Sequence, residues 1–208
     1  ARLSGASGVT AVEVNISCPN VEDRGQVFAC DPGASAAVIE AVRARLRYDI
    51  PVFAKLSPDV TDIVAIAGAC VRAGADGLSM INTLLGMAID ATTLRPVLAG
   101  TTGGLSGPAI RPVAVRCVWQ VHEAFPDVPL IGMGGVRTGW DALELMLAGA
   151  SMVSVGTTTF HDPSACARIL RELEEELARR GIERAADAVG LAHEPGRVSS
   201  RKLSGHAR

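Results

Sequence analysis

Apolar runs alternate with amphipathic stretches along most of the chain. The segments 9–16 (VTAVEVNI), 51–56 (PVFAKL), 77–81, 128–133 and 151–155 are short and mostly apolar, several rich in β-branched residues, which predicts strands. Between them, apolar residues at helical spacing predict helices over 33–47, 62–73, 112–125 and 140–148, with a charged helix over 163–180 that has a proline at its start. Thr61 is the expected N-cap of the second helix, and Gly74 closes it. The segment 82–112 is rich in glycine and threonine, with little periodicity. Loops of that length inside a domain are usually functional or disordered. A polar, weakly patterned tail over 181–208 is expected to be partly disordered.

Repeated strand–helix units imply parallel strands joined by right-handed crossovers. Both a doubly wound sheet and part of a (β/α)8 TIM barrel fit that order. The polar residues decide between them. Asn15 and Cys18, Lys55, Asn82 and Thr83, Gly134 and Gly135, and Gly156 and Thr157 all fall at or just beyond the C-terminal ends of expected strands. Barrels gather their chemistry there from several strands, whereas a doubly wound sheet concentrates it at one switch point. The expected fold is therefore an α/β barrel, residues 1–180 covering about its last five strand–helix units. A chain that begins at Ala1 and soon enters a strand is expected to be the C-terminal part of a longer one. A barrel lacking three strands would have open edges and tend to aggregate or recruit another chain.

Composition narrows the chemistry. Hydrophobic residues make up 48% and aromatics only 3% of the 208 residues, so the core must be built from small aliphatic side chains. A net charge of -2 gives no basic footprint for nucleic acid. There is no apolar run of membrane-spanning length (about 18 residues or more), and a cytoplasmic protein is expected. The five cysteines include no C-x-x-C pair, which argues against zinc or an iron–sulfur cluster, and their odd number argues against a disulfide framework.

Cys18 could act as a nucleophile or general base, or be a buried structural thiol. Cys70, Cys117 and Cys166 fall in expected helices and read as core packing. Lys55 ends an apolar strand, so it either meets an anion or extends its head to water at the barrel rim. The turns at 132–135, at Gly156-Thr157 and at 103–108 offer backbone N–H groups that suit a phosphate, or serve as turns only. Asn82 and Thr83 suit a substrate edge with both donors and acceptors, or bond to nearby backbone. The four histidines offer no competing centre.

Taken together, VEVNISCPN, PVFAKLSPDVTDI, AGADGLSMINTLLGMAID, GGLSGPAIRPVA, IGMGGV and SVGTTTF resemble the dihydroorotate dehydrogenase family over residues 12–177. The resemblance implies a barrel that binds FMN and oxidises dihydroorotate to orotate in pyrimidine biosynthesis. It implies Cys18 as the base that takes a proton from C5, hydride passing from C6 to the flavin. Asn15 would contact flavin and substrate, and Asn20, Asn82 and Thr83 the pyrimidine. Lys55, Ile81 and Gly107 would line the flavin ring, and Gly134, Gly135, Gly156 and Thr157 would hold its phosphate; no metal is implied.

Cysteine rather than serine at position 18 marks class 1. The wording of MINTLLGMAID and GGLSGPAIRP is similar to the subclass paired with an FAD and iron–sulfur electron-transfer subunit around a homodimer core. Thr158-Thr159 departs from the family's more usual Ala-Asn, and Ala29-Cys30 from its usual small residue before Asp-Pro. Two alternatives remain: a dihydropyrimidine dehydrogenase-like pyrimidine reductase and an inactive barrel fragment.

Overall fold

The computed structural model describes residues 3–17 and 30–194, together with the backbone at 22–23 and 26–27. Strand β1 (Val12–Asn15) is followed by a two-stranded antiparallel pair, β2 (Glu22–Asp23) and β3 (Gln26–Val27). Helix α1 (Pro32–Arg43) starts where the Asp31 carboxylate accepts the N–H of Ala34 at 2.6 Å. It ends earlier than the apolar spacing predicts. Arg43 turns its guanidinium back to the carbonyls of Arg47 (2.7 Å) and Ile50 (3.0 Å), stabilising a turn instead of a further helical round.

Strand β4 (Val52–Leu56) leads into α2 (Ile63–Arg72). Its N-cap is Asp62 and not Thr61: the Asp62 side chain accepts from Ala65 N at 3.0 Å. Strand β5 (Gly77–Met80) follows. The segment read as a patternless loop contains a hairpin, β6 (Leu84–Gly86) paired with β7 (Gly103–Leu105), and an isolated bridge between Ile89 and Pro96. Then come α3 (Arg111–Ala124), β8 (Leu130–Met133), α4 (Gly139–Leu147), β9 (Met152–Ser154), the short α5 (Thr158–His161) and α6 (Ala165–Arg180).

Five strands form one sheet in the order β1-β4-β5-β8-β9, every neighbouring pair parallel. This is the arc of a (β/α) barrel, as expected from the strand–helix alternation. Parallel pairing sends alternate residues to opposite faces. Val52, Ala54 and Leu56, with Leu78, Met80 and Leu130, are fully buried toward the helices, where they meet Ile39, Cys70, Cys117, Val118 and Leu145. The opposite, concave face carries Asn15, Lys55 and Ser79 side by side in register. Since all five strands run the same way, their C-terminal ends share one rim.

Cys70 and Cys117 sit in the core as expected, and burial pushes the Cys70 thiol up to about 11 and that of Cys117 up as well. Cys166 is a correction. It is exposed, because on α6 its neighbours Ala165 and Ile169 take the inward face. The start of the polar tail is folded back onto the helices: Ile182, Ala188 and Val189 pack with Leu143, Met146 and Leu177. The His193 ring stacks on Trp119 at 3.6 Å, and its Nε2 lies 3.0 Å from the Ala148 carbonyl. Among the described residues, no helix is long and apolar enough to cross a membrane.

Candidate functional site

A cavity of about 230 Å³ opens at the C-terminal rim, between the ends of β4, β5, β8 and β9. Strand β4 contributes Lys55, and the exit of β5 contributes Ile81, Asn82 and Thr83. Gly107, Gly134, Gly135, Gly156 and Thr157 complete the expected set on the cavity wall. Asn15 is not on that wall. It stands beside Lys55 on the concave face, register partner to register partner. Cys18 and Asn20 lie outside the described residues.

The approach to Cys18 is nevertheless built from described atoms. Asn15 Oδ1 accepts from the N–H of Ser17 at 3.1 Å and from its hydroxyl at 2.6 Å. Asn82 Nδ2 donates to the Ser17 carbonyl at 3.0 Å, while the Asn82 N–H donates to Leu56 O at 3.0 Å. Ser17 is thereby buried and held from two strands. The two asparagines act on the backbone entering position 18; for Asn82, bonding to backbone was one of the two uses that its pattern left open.

Lys55 is half-buried, and among the described residues its ammonium has neither an ion-pair nor a hydrogen-bond partner. The neighbouring Ser79 hydroxyl is fully buried and also unpartnered. A cation left this way favours an anionic or acceptor-rich ligand. Across the cavity, the backbone N–H groups of Gly134, Gly135, Gly156 and Thr157 donate to no acceptor among the described residues. Such a row of free donors suits a phosphate. Gly134 and Gly135 have φ of +126° and +76°, and a Cβ on Gly135 would stand 2.9 Å from the Gly107 carbonyl. Only glycine holds that turn without strain. Apolar side chains of Ile81, Ile110, Met133 and Val136 form the remaining floor, suited to a ring.

Sequence reasoning missed several contributors. Ile110, Val136, Ser154 and Thr158 also line the cavity, beside Ser106 and Met133 of the two turns singled out above. Thr158 donates its hydroxyl to the Val136 carbonyl at 2.8 Å, which ties the turn after β9 to the turn after β8. Asp59, in the loop after β4, accepts from Leu85 N at 2.8 Å and anchors the β6–β7 hairpin. Gly104 lets that hairpin close on Thr83, whose Oγ1 would be 2.3 Å from a Cβ there. The signal for Asp59 was present, an Asp two residues after Ser57, whose hydroxyl accepts the Asp59 N–H at 3.1 Å. The partner was not, being 26 residues away.

The sequence profile of the family described as dihydroorotate dehydrogenase matches residues 3–177. The chain belongs to the dihydroorotate dehydrogenase family. It is similar to the "Dihydroorotate dehydrogenase B (NAD(+)), catalytic subunit" of Citrifermentans bemidjiense, 57% identical over 190 residues, 91% of this chain and 61% of that protein. The protein of the same name from Desulforudis audaxviator is 53% identical over 195 residues, 94% of this chain and 62% of that protein. Among solved structures, DHODH from Eimeria tenella in complex with ferulenol superposes with a TM-score of 0.76 at 28% identity, covering 89% of this chain and 55% of that one. The two catalytic-subunit relatives agree with the class 1 subclass that the motif wording implies. The dihydroorotate dehydrogenase segment seen here spans about 61% of the length of the curated relatives it matches.

Proposed function

We propose that this chain supplies the catalytic cysteine and most of the FMN site of a class 1 dihydroorotate dehydrogenase that oxidises (S)-dihydroorotate to orotate in pyrimidine biosynthesis. The observation that carries the reading is one cavity with a lysine and a row of backbone donors that have no partner among the described residues. Those residues fit FMN: Lys55 and Ile81 would meet the ring, with Gly107 beside them, and Gly134, Gly135, Gly156 and Thr157 would hold the phosphate.

Asn15, Asn20, Asn82 and Thr83 would orient the pyrimidine edge. Cys18, as thiolate, takes the proton from C5, and two electrons leave C6 as hydride, so that the C5–C6 bond becomes double. When bound, the flavin supplies the two-electron acceptor for that hydride. The Asn15–Ser17–Asn82 hydrogen bonds fix the backbone up to Ser17, which would lower the cost of bringing the base at the next position to C5.

The proposed partner is a separate FAD and iron–sulfur subunit that takes the electrons onward. A homodimeric core belongs to the same reading, supported by the exposed apolar side chains Met87, Leu94 and Val97 near the hairpin. Residues 1–180 form the barrel portion and 181–208 an appended tail, and the cytoplasm is the proposed compartment.

The test is anaerobic mixing of the full chain, loaded with FMN, with dihydroorotate or with dihydrouracil. Bleaching of the yellow flavin by dihydroorotate alone is expected. Bleaching by dihydrouracil instead would assign dihydropyrimidine dehydrogenase-like chemistry. Failure to take up flavin would leave an inactive barrel fragment.

A further inference from the structure

We infer that the Arg111–Asp141 ion pair is the positioning device that makes this site select a phosphorylated flavin over the same flavin without its phosphate. The inference rests on the FMN reading and deepens it.

Asp141 lies in the first turn of α4 and is only 4% exposed. Its carboxylate accepts from the N–H groups of Arg137 (2.9 Å) and Thr138 (3.0 Å), and it is ion-paired with Arg111. Arg111 opens α3 and also pairs through Nε with Glu144 at 3.0 Å. One carboxylate thus joins the turn after β8, which carries Gly134 and Gly135, to the start of α3, which follows Gly107. A Cβ on Gly135 would sit 2.8 Å from Arg111 Cβ, so the turn is pressed directly onto this residue.

An ordinary helix cap does not need this arrangement. Thr138 and Asp141 form a complete capping box by themselves, the Asp141 N–H donating to Thr138 Oγ1 at 3.2 Å. The bonds to Arg137 N and to Arg111 exceed the cap and tie it to the loop after β8 and to the start of α3, whose neighbours Val136 and Ile110 line the cavity. Two carboxylates already neutralise Arg111, so it acts through the turn and not as a ligand. With Thr158 holding Val136 O, the device keeps the Gly134, Gly135, Gly156 and Thr157 donors aimed before a ligand arrives. Donors held in place lose little freedom on binding, and their gain falls on the group that they face.

The readout is the affinity of the full apo chain for FMN and for riboflavin, measured by flavin fluorescence quenching. Asp141→Asn is expected to weaken FMN about ten-fold, the loss of one charge-assisted hydrogen bond, and to leave riboflavin within about two-fold. Because Asp141→Asn leaves Arg111 with Glu144 as its remaining carboxylate, the double variant Arg111→Met/Asp141→Asn removes both members of the pair and tests the same ratio without a redirected Arg111. Equal losses for the two flavins would reduce the pair to a purely structural role and overturn the inference, as would no loss at all. A wild-type chain that binds neither flavin would refute the FMN reading itself, a result distinct from either.

Discussion

Asn82 Nδ2 donates to the backbone carbonyl of Ser17 at 3.0 Å, bridging the C-terminal ends of β5 and β1 across β4. A side chain expected on the substrate thus also holds the backbone one residue before the proposed base. Replacing Asn82 with Ala should lower turnover of dihydroorotate about 100-fold, the scale of loss when a reacting group is displaced by an ångström. Flavin content should stay close to wild type. Stopped-flow flavin reduction separates the two, and unchanged reduction would show that the bridge is dispensable.

Cys18→Ala should reduce turnover by a factor on the order of 100 to 10,000, the usual contribution of a positioned base. Apart from Asn15, the proposed cofactor contacts lie on other strands, so the flavin spectrum should persist. Near-normal turnover in this variant would remove Cys18 from the mechanism.

Gly135 and Gly156 should respond differently to alanine. At Gly135, with φ of +76° and neighbours at 2.8–3.0 Å, the new methyl has no room, and a destabilisation of about 1–3 kcal/mol is expected. At Gly156 nothing lies within 4 Å of a Cβ, so stability should change by less than about 0.5 kcal/mol. Any FMN loss there would then come from the ligand's own space. Chemical denaturation of the two apo variants checks the contrast, and equal stabilities would contradict it.

Burial, and then the nearby His193, hold His122 below the ordinary imidazole range. The ring is wedged between Gly149 and Gly190, and its buried Nδ1 has no partner among the described residues. A lowered folded-state value means that the unfolded chain binds the proton more readily. The stabilisation is therefore complete above the unfolded value of 6.5 and is lost as pH falls from there through the folded value. Thermal unfolding from about pH 8 to about pH 5 should show falling stability on the acid side. His122→Gln should flatten that slope, and an unchanged slope would assign the effect to other groups.

Much of the architecture was legible because its signals are local. Five strands, their helices, and the placing of Lys55 and the glycine turns at strand ends follow from period-2 and period-3.6 patterns within a few residues. Locality also explains the misses. Thr61 and Asp62 both look like caps, and only the path of the backbone lets Asp62 reach Ala65. The β6–β7 hairpin has strands of three residues separated by a long excursion, too short for any periodicity to register.

By itself, then, the sequence determined the strand–helix order, the aliphatic core and the family, since these are written in residue type and short-range spacing. The tertiary structure decided what each polar residue does. Asp141 meets Arg111 across 30 positions, Asn82 reaches Ser17 across 65, and Thr158 meets Val136 across 22. Such pairings depend on which loops the curved parallel sheet brings to the same rim. No periodicity along the chain encodes that proximity.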